Sequence, residues 1–535
     1  MRFAGGAAPS AAEDLGQRLE QLNAIGASLS AERDINRLLE SILTAAKAIT
    51  RADGGTLYRV TEERTLRFEI MRTSSLKFYL GGTTGNPIPF YPVQLYKDGK
   101  PNHNNVSAYV ALTGKTVNIP DAYTAEGFDF TGTRGFDSKT GYRSKSFLTV
   151  PMKNHENEII GVLQLLNAQD PATGEVVAFS SSDQRLAESL ASQAAIALTN
   201  RMLINQLEQL FESFIKLINT AIDEKSPYTG GHCQRVPVLT MLLAEAVNET
   251  SEGPLAAFQM SEKDRYELKI AGLLHDCGKV TTPVHVVDKA TKLESICDRI
   301  HLLDTRFEVL KRDAEIEFLK GDKDEKRLHE RLRQLEDDRK FLHACNVGGE
   351  RTRDEDIARV QRIERYRWRD VSGQEANFLT DDEVKNLTIR AGTLTDEERK
   401  IINHHIVATI RMLEALPWPR HLRNVPEYAG GHHERMDGKG YPRGLTREQM
   451  SVQARCMGIA DIFEALTAKD RPYKKGKTLS ESLEILGRMK LNGHVDPDLF
   501  DIFVRRKVYR RYAEMFLDPE QIDAVEESAI PGYPG

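Results

Sequence analysis

The sequence predicts a multidomain chain: an N-terminal α+β domain, one long linker helix, and an all-α C-terminal domain carrying a helical insertion. Three observations lead there. At 535 residues the chain exceeds one ordinary domain, and a hydrophobic content of 40% can fill several cores. Strand-like runs flanked by helical patterns are confined to the first third of the chain. From Asp183 to about Lys225 a helical pattern then runs with neither Gly nor Pro.

Residues 1–14, rich in Ala and Gly, read as a flexible tail. Apolar residues at Leu15, Leu19, Leu22, Ile25 and Leu29 predict a helix, and a second is predicted from Ile35 to Ile49. Strands are expected at Gly55–Val60, Thr65–Ile70, Phe147–Val150 and Ile159–Leu166, which sets the α+β domain at 15–180. The linker helix, 181–225, carries Leu203, Leu207, Leu210, Phe214, Leu217 and Ala221 at alternating spacings of four and three. That is an a/d seam, and it predicts a parallel coiled coil and a homodimer. The all-α domain is set at 226–505. It is interrupted at about 291–392 by a charged segment in which Leu328, Leu332 and Leu335 mark a helical stripe and Gly321 divides a hairpin. A solvated charged face is the expectation there. Residues 506–535 form a C-terminal extension.

Composition excludes several functions. The net charge of −6 includes no basic tail, which argues against a nucleic-acid polymer as partner. Five scattered cysteines read as reduced thiols. With no signal-like N-terminus and no long apolar run, the sequence predicts a cytoplasmic protein without membrane association.

The string His432-His433-Glu434-Arg435-Met436-Asp437-Gly438-Lys439-Gly440-Tyr441-Pro442 is the most informative in the chain. Adjacent histidines cannot both face one packing seam, whereas two imidazoles at a helix end can hold two neighbouring metal ions. Upstream, His275 and Asp276 end an apolar helix, and Gly278 lets the chain turn into Lys279. A carboxylate there can bridge two cations that the histidines cap.

Two resemblances follow. Val117–Tyr123, Gly135–Tyr142, Val150–Asn154 and Gly161–Asn167 resemble a GAF domain of the kind found in cyclic-nucleotide phosphodiesterases. Members that bind cyclic nucleotides carry an Asn-Lys…Phe-x3-Asp-Glu signature. Here it reads Asn167-Ala168…Phe179-x3-Asp183-Gln184, so the expectation is a dimer platform or a sensor of some other small ligand. Residues 226–290 and 394–505 resemble the HD-GYP family of cyclic di-GMP phosphodiesterases, within the HD-type metallophosphohydrolases. The likeness rests on Tyr228–Arg235, His275–Lys279, Leu394–His405, the His432 string, Asp461–Leu466, Arg471–Lys474 and Gly493–Asp498.

That resemblance implies metal ligands at His232, His275, Asp276, His405, His432, His433 and Asp461. They would hold two divalent ions, iron or manganese, with a bridging hydroxide as nucleophile. Tyr228 stands where trinuclear members carry a glutamate, so a third ion is not expected. His405 is preferred to His301 and His404, which are read as surface residues. Lys279 and Asp276 are the catalytic residues, with Lys279 bonding a phosphate oxygen. Arg471, Tyr473 and Lys474 would contact guanine and phosphate, and Gly440, Tyr441 and Pro442 would form a substrate-binding loop. Arg435 and Asp437 are expected to orient the histidines. Glu464, where the family usually has Asp, is expected to affect substrate fit. The implied reaction is hydrolysis of cyclic di-GMP to linear pGpG or to GMP, under control of the GAF domain, with no other cofactor implied; hydrolysis of another cyclic dinucleotide, and a cyclic di-GMP receptor that acts by protein contact, stay open as alternatives.

Overall fold

The computed structural model describes residues 11–226, 231–321, 324–349, 352–469 and 476–534. It divides into two compact units, 1–211 and 212–535.

In the first unit, helices α1 (Ala11–Ala31) and α2 (Ile35–Thr50) precede a sheet. Its strands are β1 (Ala52–Val60), β2 (Thr65–Thr73), β3 (Phe78–Gly81), β4 (Val93–Gln94), β7 (Val117–Ile119), β8 (Phe147–Lys153), β9 (Ile159–Gln169) and β10 (Val176–Val177). β5 (Tyr96–Lys97) and β6 (Lys100–Pro101) form a separate small hairpin. The sheet order is β3-β2-β1-β9-β8-β7, every pairing antiparallel, with β4 on β2 and β10 on β9. Helices α3 (Val106–Thr113) and α4 (Thr131–Thr140) interrupt the strand sequence.

Local chemistry sets these elements. Asp34 caps α2 by accepting from the backbone of Asn36 and Arg37 at 2.8 and 2.9 Å. The apolar face of α2 (Leu38, Ile42, Leu43, Ile49) packs with Leu22 and Leu29 of α1 and with Leu186, Leu190 and Leu198 of α5 (Ser181–Lys225) over Leu57, Ile70 and Leu163 of the sheet. The opposite face buries Tyr58, Leu66 and Val162 against Ala108 and Val110 of α3. The three signature positions that remain are consumed structurally: Phe179 is buried in the same core as Leu57 and Leu163. Asn167 Oδ1 accepts from the backbone of Lys145 and Ser146 at 2.8 and 3.2 Å, and Asp183 ion-pairs with Arg18.

Along α5 the predicted seam is bare. Leu203, Leu207, Leu210, Phe214 and Leu217 are 47–64% exposed, so they do not pack on the chain's own domains.

The second unit is helical: α6 (His232–Asn248), α7 (Glu262–Leu274), α8 (Val284–Val287), α9 (Ile300–Lys320), α10 (Glu325–Asn346), α11 (Asp354–Glu364), α12 (Asp381–Leu387), α13 (Asp396–Glu414), α14 (Val425–Gly430), α15 (Val452–Thr467), α16 (Leu479–Leu491), α17 (Pro497–Arg505) and α18 (Val508–Phe516). α6 packs against α7, α15, α17 and α18, so the C-terminal extension is part of the helical core, with Tyr512 wholly buried. The charged segment differs from the solvated face expected. It has its own core of Leu303, Phe307, Leu335, Leu342, Val360, Ile363, Phe378 and Leu387. It also holds a two-stranded hairpin, β11 (Arg367–Arg369) with β12 (Glu375–Asn377), which the helical reading did not anticipate. Asp370 and Gly373, at φ 81°, make its turn. Among the described residues, no helix is long and apolar enough to cross a membrane.

Candidate metal centre

Three helix ends, of α6, α7 and α14, and the middles of α13 and α15 converge on one site. α7, started by a Ser261/Asp264 capping box, delivers His275 and Asp276, both buried. A short 3-10 turn, Cys277–Thr281, follows and carries Lys279. It is pressed against α13: Gly278 N donates to Thr409 Oγ1 at 2.9 Å, and a Cβ at 278 would stand 2.0 Å from the carbonyl oxygen of His405. α13 supplies His405, α6 begins with His232, α14 leads into His432 and His433, and α15 supplies Asp461.

The imidazoles are oriented from behind. His275 Nδ1 lies 2.7 Å from Gly272 O, His405 Nδ1 2.5 Å from Ile402 O, and His432 Nδ1 2.6 Å from Ala429 O. Carbonyls only accept, so in each ring Nδ1 carries the proton and Nε2 presents a lone pair inward. His232 Nδ1 is held instead by Glu464 Oε2 at 2.5 Å, and Arg235 Nε donates to the other oxygen of Glu464 at 2.7 Å.

Inside, the inward atoms crowd. His232 Nε2 and His275 Nε2 are 3.3 Å apart, and His405 Nε2 and His433 Nε2 3.2 Å. Asp276 lies between the two clusters. Its Oδ2 is 3.1 Å from His232 Nε2 and 3.3 Å from His275 Nε2, and its Oδ1 is 3.2 Å from His405 Nε2. Asp461 Oδ1 reaches His232 Nε2 at 3.3 Å. His432 Nε2 is buried without a hydrogen-bond partner. Inward-facing imidazole nitrogens and carboxylate oxygens crowded at these distances, with the His432 Nε2 lone pair left unpartnered, are a donor set that fits metal ions. Two groups have ligand atoms close enough for one ion each, His232/His275/Asp276 and His405/His432/His433.

Electrostatics agree. Burial depresses the His432 and His433 imidazoles, His433 to about 4, so both are neutral ligands at pH 7. Burial pushes Asp276 up, but the Lys279 ammonium and the His275 imidazole outweigh it and hold the carboxyl well below its usual range. Burial also lowers His232, yet hydrogen bonds to Asp276, Asp461 and Glu464 raise it well above an ordinary imidazole. Three carboxylates facing one ring call for positive charge. Lys279 Nζ supplies some of it from 2.5 Å off Asp276 Oδ2.

Other expectations need revision. Arg435 and Asp437 form a bidentate pair, at 2.8 and 3.0 Å, but neither has a described bond to an imidazole. Arg435 also donates to Asn492 O at 3.2 Å, and Asp437 N donates to Gly493 O at 3.0 Å, so the pair fastens two loops together. Glu464 was expected to matter to substrate fit; the structure puts it behind His232. Tyr441 stacks on His433, with centroids 4.9 Å apart and planes at 21°, and so buttresses a candidate ligand. A Cβ on Gly440 would fall 2.3 Å from Arg435 N, so glycine is needed where the loop folds over that backbone. Tyr441–Pro442 is cis. Glu434 accepts from the backbone of Arg443 and Leu445, at 2.7 and 2.9 Å, and closes the loop. Within Gly493–Asp498, buried Asp496 caps α17 and ion-pairs with Arg455 of α15. The His301 side chain is 78% exposed, and His404 is exposed. Tyr228, Arg471, Tyr473 and Lys474 lie outside the described residues.

The Glu464 contact yields a quantitative expectation. Glu464→Gln keeps the shape and removes the charge, and such partners behind a ligand are worth about 10- to 100-fold in metal affinity. Titrating the metal-stripped variant with Mn2+ should show that loss. Wild-type affinity would mean that Glu464 does not act through His232.

Residues 34–198 match the GAF domain family, and residues 229–341 and 381–499 match two HD domain families. The chain therefore carries an N-terminal GAF domain followed by a mostly helical region with HD domains. A cyclic di-GMP phosphodiesterase of Pseudomonas aeruginosa is 40% identical over 116 residues, 22% of this chain and 27% of that protein. A 3′3′-cGAMP-specific phosphodiesterase of Vibrio cholerae is 44% identical over 81 residues, 15% of this chain and 19% of that one. A second from the same organism is 24% identical over 295 residues, 54% of this chain and 39% of that one. The chain thus spans well under half the length of each of these relatives. Among solved structures, the GAF domain of an Acinetobacter phosphoenolpyruvate-protein phosphotransferase matches with a TM-score of 0.27 and 16% identity, over 35% of this chain and 96% of that one.

Proposed function

We propose that this chain is a cytoplasmic, metal-dependent phosphodiesterase that hydrolyses cyclic di-GMP to linear pGpG or to GMP. One observation supports this above the rest: the Asp276 carboxylate faces one imidazole cluster with each oxygen, 3.1 Å from His232 and 3.2 Å from His405. His232, His275 and Asp461 would hold one divalent ion and His405, His432 and His433 the other, with Asp276 shared. Iron or manganese suits this mixed imidazole and carboxylate set.

When bound, such a pair makes a water-derived nucleophile available at neutral pH and neutralises charge on the phosphoryl group. The chain's own residues do the rest. The Nδ1 bonds to backbone carbonyls and to Glu464 fix the rings of His275, His405, His432 and His232 before metal or substrate arrives, and Tyr441 backs His433. Burial lowers the pKa of Lys279, but Asp276 and Asp461 raise it further, so its ammonium is charged and can meet a phosphate oxygen. Arg471, Tyr473 and Lys474 are assigned to guanine and phosphate by the family resemblance. The bare stripe on α5 is the expected seam of a homodimer, and the GAF domain is the expected regulatory input, with a small ligand other than a cyclic nucleotide.

A second reading draws on the 3′3′-cGAMP-specific relatives: the same centre acting on a mixed dinucleotide. Steady-state kinetics of the Mn2+-loaded protein on cyclic di-GMP, 3′3′-cGAMP and cyclic di-AMP separates the two. The first reading expects kcat/KM for cyclic di-GMP to exceed the others at least about tenfold, the contribution of one well-made base contact. A reversed preference selects the second reading. Turnover of none of the three rejects both and leaves a dinucleotide receptor.

A further inference from the structure

The turn that carries Lys279 is also held from outside the metal centre. α5 ends at Lys225, whose ammonium donates to the carbonyl oxygens of Lys279, at 3.3 Å, and of Val280. The next residue, buried Ser226, donates its hydroxyl to Asp288 Oδ1. All three acceptors lie on the segment leading from Asp276 to the insertion. Beside Asp288, the wholly buried ammonium of Lys289 binds Glu398 at 2.8 Å and Asn386 Oδ1 at 2.9 Å. Glu398 precedes His405 on α13 by seven residues, about two helical turns. Linked through the chain neighbours Lys225–Ser226 and Asp288–Lys289, these polar bonds join the end of α5, the turn 277–281 and the helix that carries His405.

The turn needs such support. Its inner residues Cys277 and Gly278 are buried, but Val280 is 44% exposed, so the outer edge has little apolar packing. A segment held by few buried apolar contacts opens locally at low cost. Lysine suits the position because its three donors and no acceptor allow it to hold two carbonyls at once. It also sits in the last turn of α5, where a cation is favoured.

We propose that Lys225 and Ser226 are positioning residues: a clasp at the end of α5 that fixes the backbone of 277–281 and thereby keeps the Lys279 ammonium beside Asp276. Displacing this helix end breaks the clasp and lowers turnover while the metal ligands stay in place. The kinetic part rests on the phosphodiesterase reading; the structural part does not.

The test compares wild type with Lys225→Met, Lys225→Arg and Ser226→Ala in the full-length, Mn2+-loaded chain. Metal content, kcat and KM for cyclic di-GMP, and deuterium exchange of amides 277–282 are measured on each. Lys225→Met keeps the stem and loses the donors. It is expected to exchange faster at 277–282, keep its metal and KM, and lose about tenfold in kcat, as a small misplacement of a catalytic group does. Lys225→Arg should recover most of the kcat, and Ser226→Ala should show a smaller loss of the same kind. Wild-type exchange and kcat in Lys225→Met overturn the proposal. So does a kcat loss matched by metal loss, or an arginine variant as poor as the methionine one. If the wild type turns over no cyclic dinucleotide, the phosphodiesterase reading fails, while exchange at 277–282 still decides for or against the clasp.

Discussion

Asp276→Ala is expected to empty the metal centre and to lower turnover by at least about 10³-fold, the scale on which charge stabilisation at a phosphoryl group operates. The reason is its place between the clusters. Its two oxygens lie 3.1–3.3 Å from His232, His275 and His405, so one substitution removes a donor from both sets. It also strips Lys279 of its partner at 2.5 Å, leaving a largely buried ammonium among imidazoles. Losses at His432 or His433 strike one cluster directly, and those variants should keep part of their metal. Folding should survive, because α7 is held independently by Leu268, Ile270 and Leu274 and by its capping box. A circular dichroism spectrum like that of the wild type, beside lost metal and lost turnover, is the expected pattern.

Gly278→Ala should be nearly as damaging, through packing rather than charge. The added Cβ would sit 2.0 Å from His405 O, 2.6 Å from Thr409 N and 2.7 Å from Thr409 Oγ1. Two of those atoms are backbone of α13 and cannot rotate away, so helix and turn must separate. The bond from Gly278 N to Thr409 Oγ1 then goes, worth about 1 kcal/mol, and overpacking adds about 1–3 kcal/mol. His405 and Asp276 move apart with the two segments, so metal retention falls as well. A lower thermal midpoint with reduced metal content is the expected result. A midpoint and turnover equal to wild type would mean that α13 and the turn are less tightly apposed than described. Gly132→Ala, whose new Cβ meets nothing within 4 Å, is the control and should change stability by no more than about 0.5 kcal/mol.

The candidate ligands were legible because their constraint is local. His275–Lys279 and His432–Pro442 each compress several groups into one helix end and hint at paired cations, whereas His232, His405 and Asp461 are implied by the family resemblance. The capping boxes Ser261/Asp264 and Thr395/Glu398, equally local but not read from the sequence, start the helices that position His275 and His405. The partners behind the ligands were not legible. Glu464 serves a histidine 232 positions away, and nothing near it in sequence connects the two. Arg435 and Asp437 misled for the converse reason: being next to histidines in sequence, they were expected to serve them, whereas the loop carries their side chains towards 492–493. Average composition hid the core of the insertion, since Leu303, Phe307, Leu335 and Phe378 are widely spaced among charges and meet only after folding. Tyr441 lay in between. Its place beside the histidines was visible, but its stacking on His433 depends on the close backbone approach at Gly440.

The most direct test of the account is a metal count by elemental analysis on anaerobically purified protein, wild type beside Asp276→Ala. Two iron or manganese ions per wild-type chain and fewer than one in the variant are expected. One ion in both proteins, or a wild type that stays empty after anaerobic incubation with excess Fe2+ or Mn2+, would contradict it.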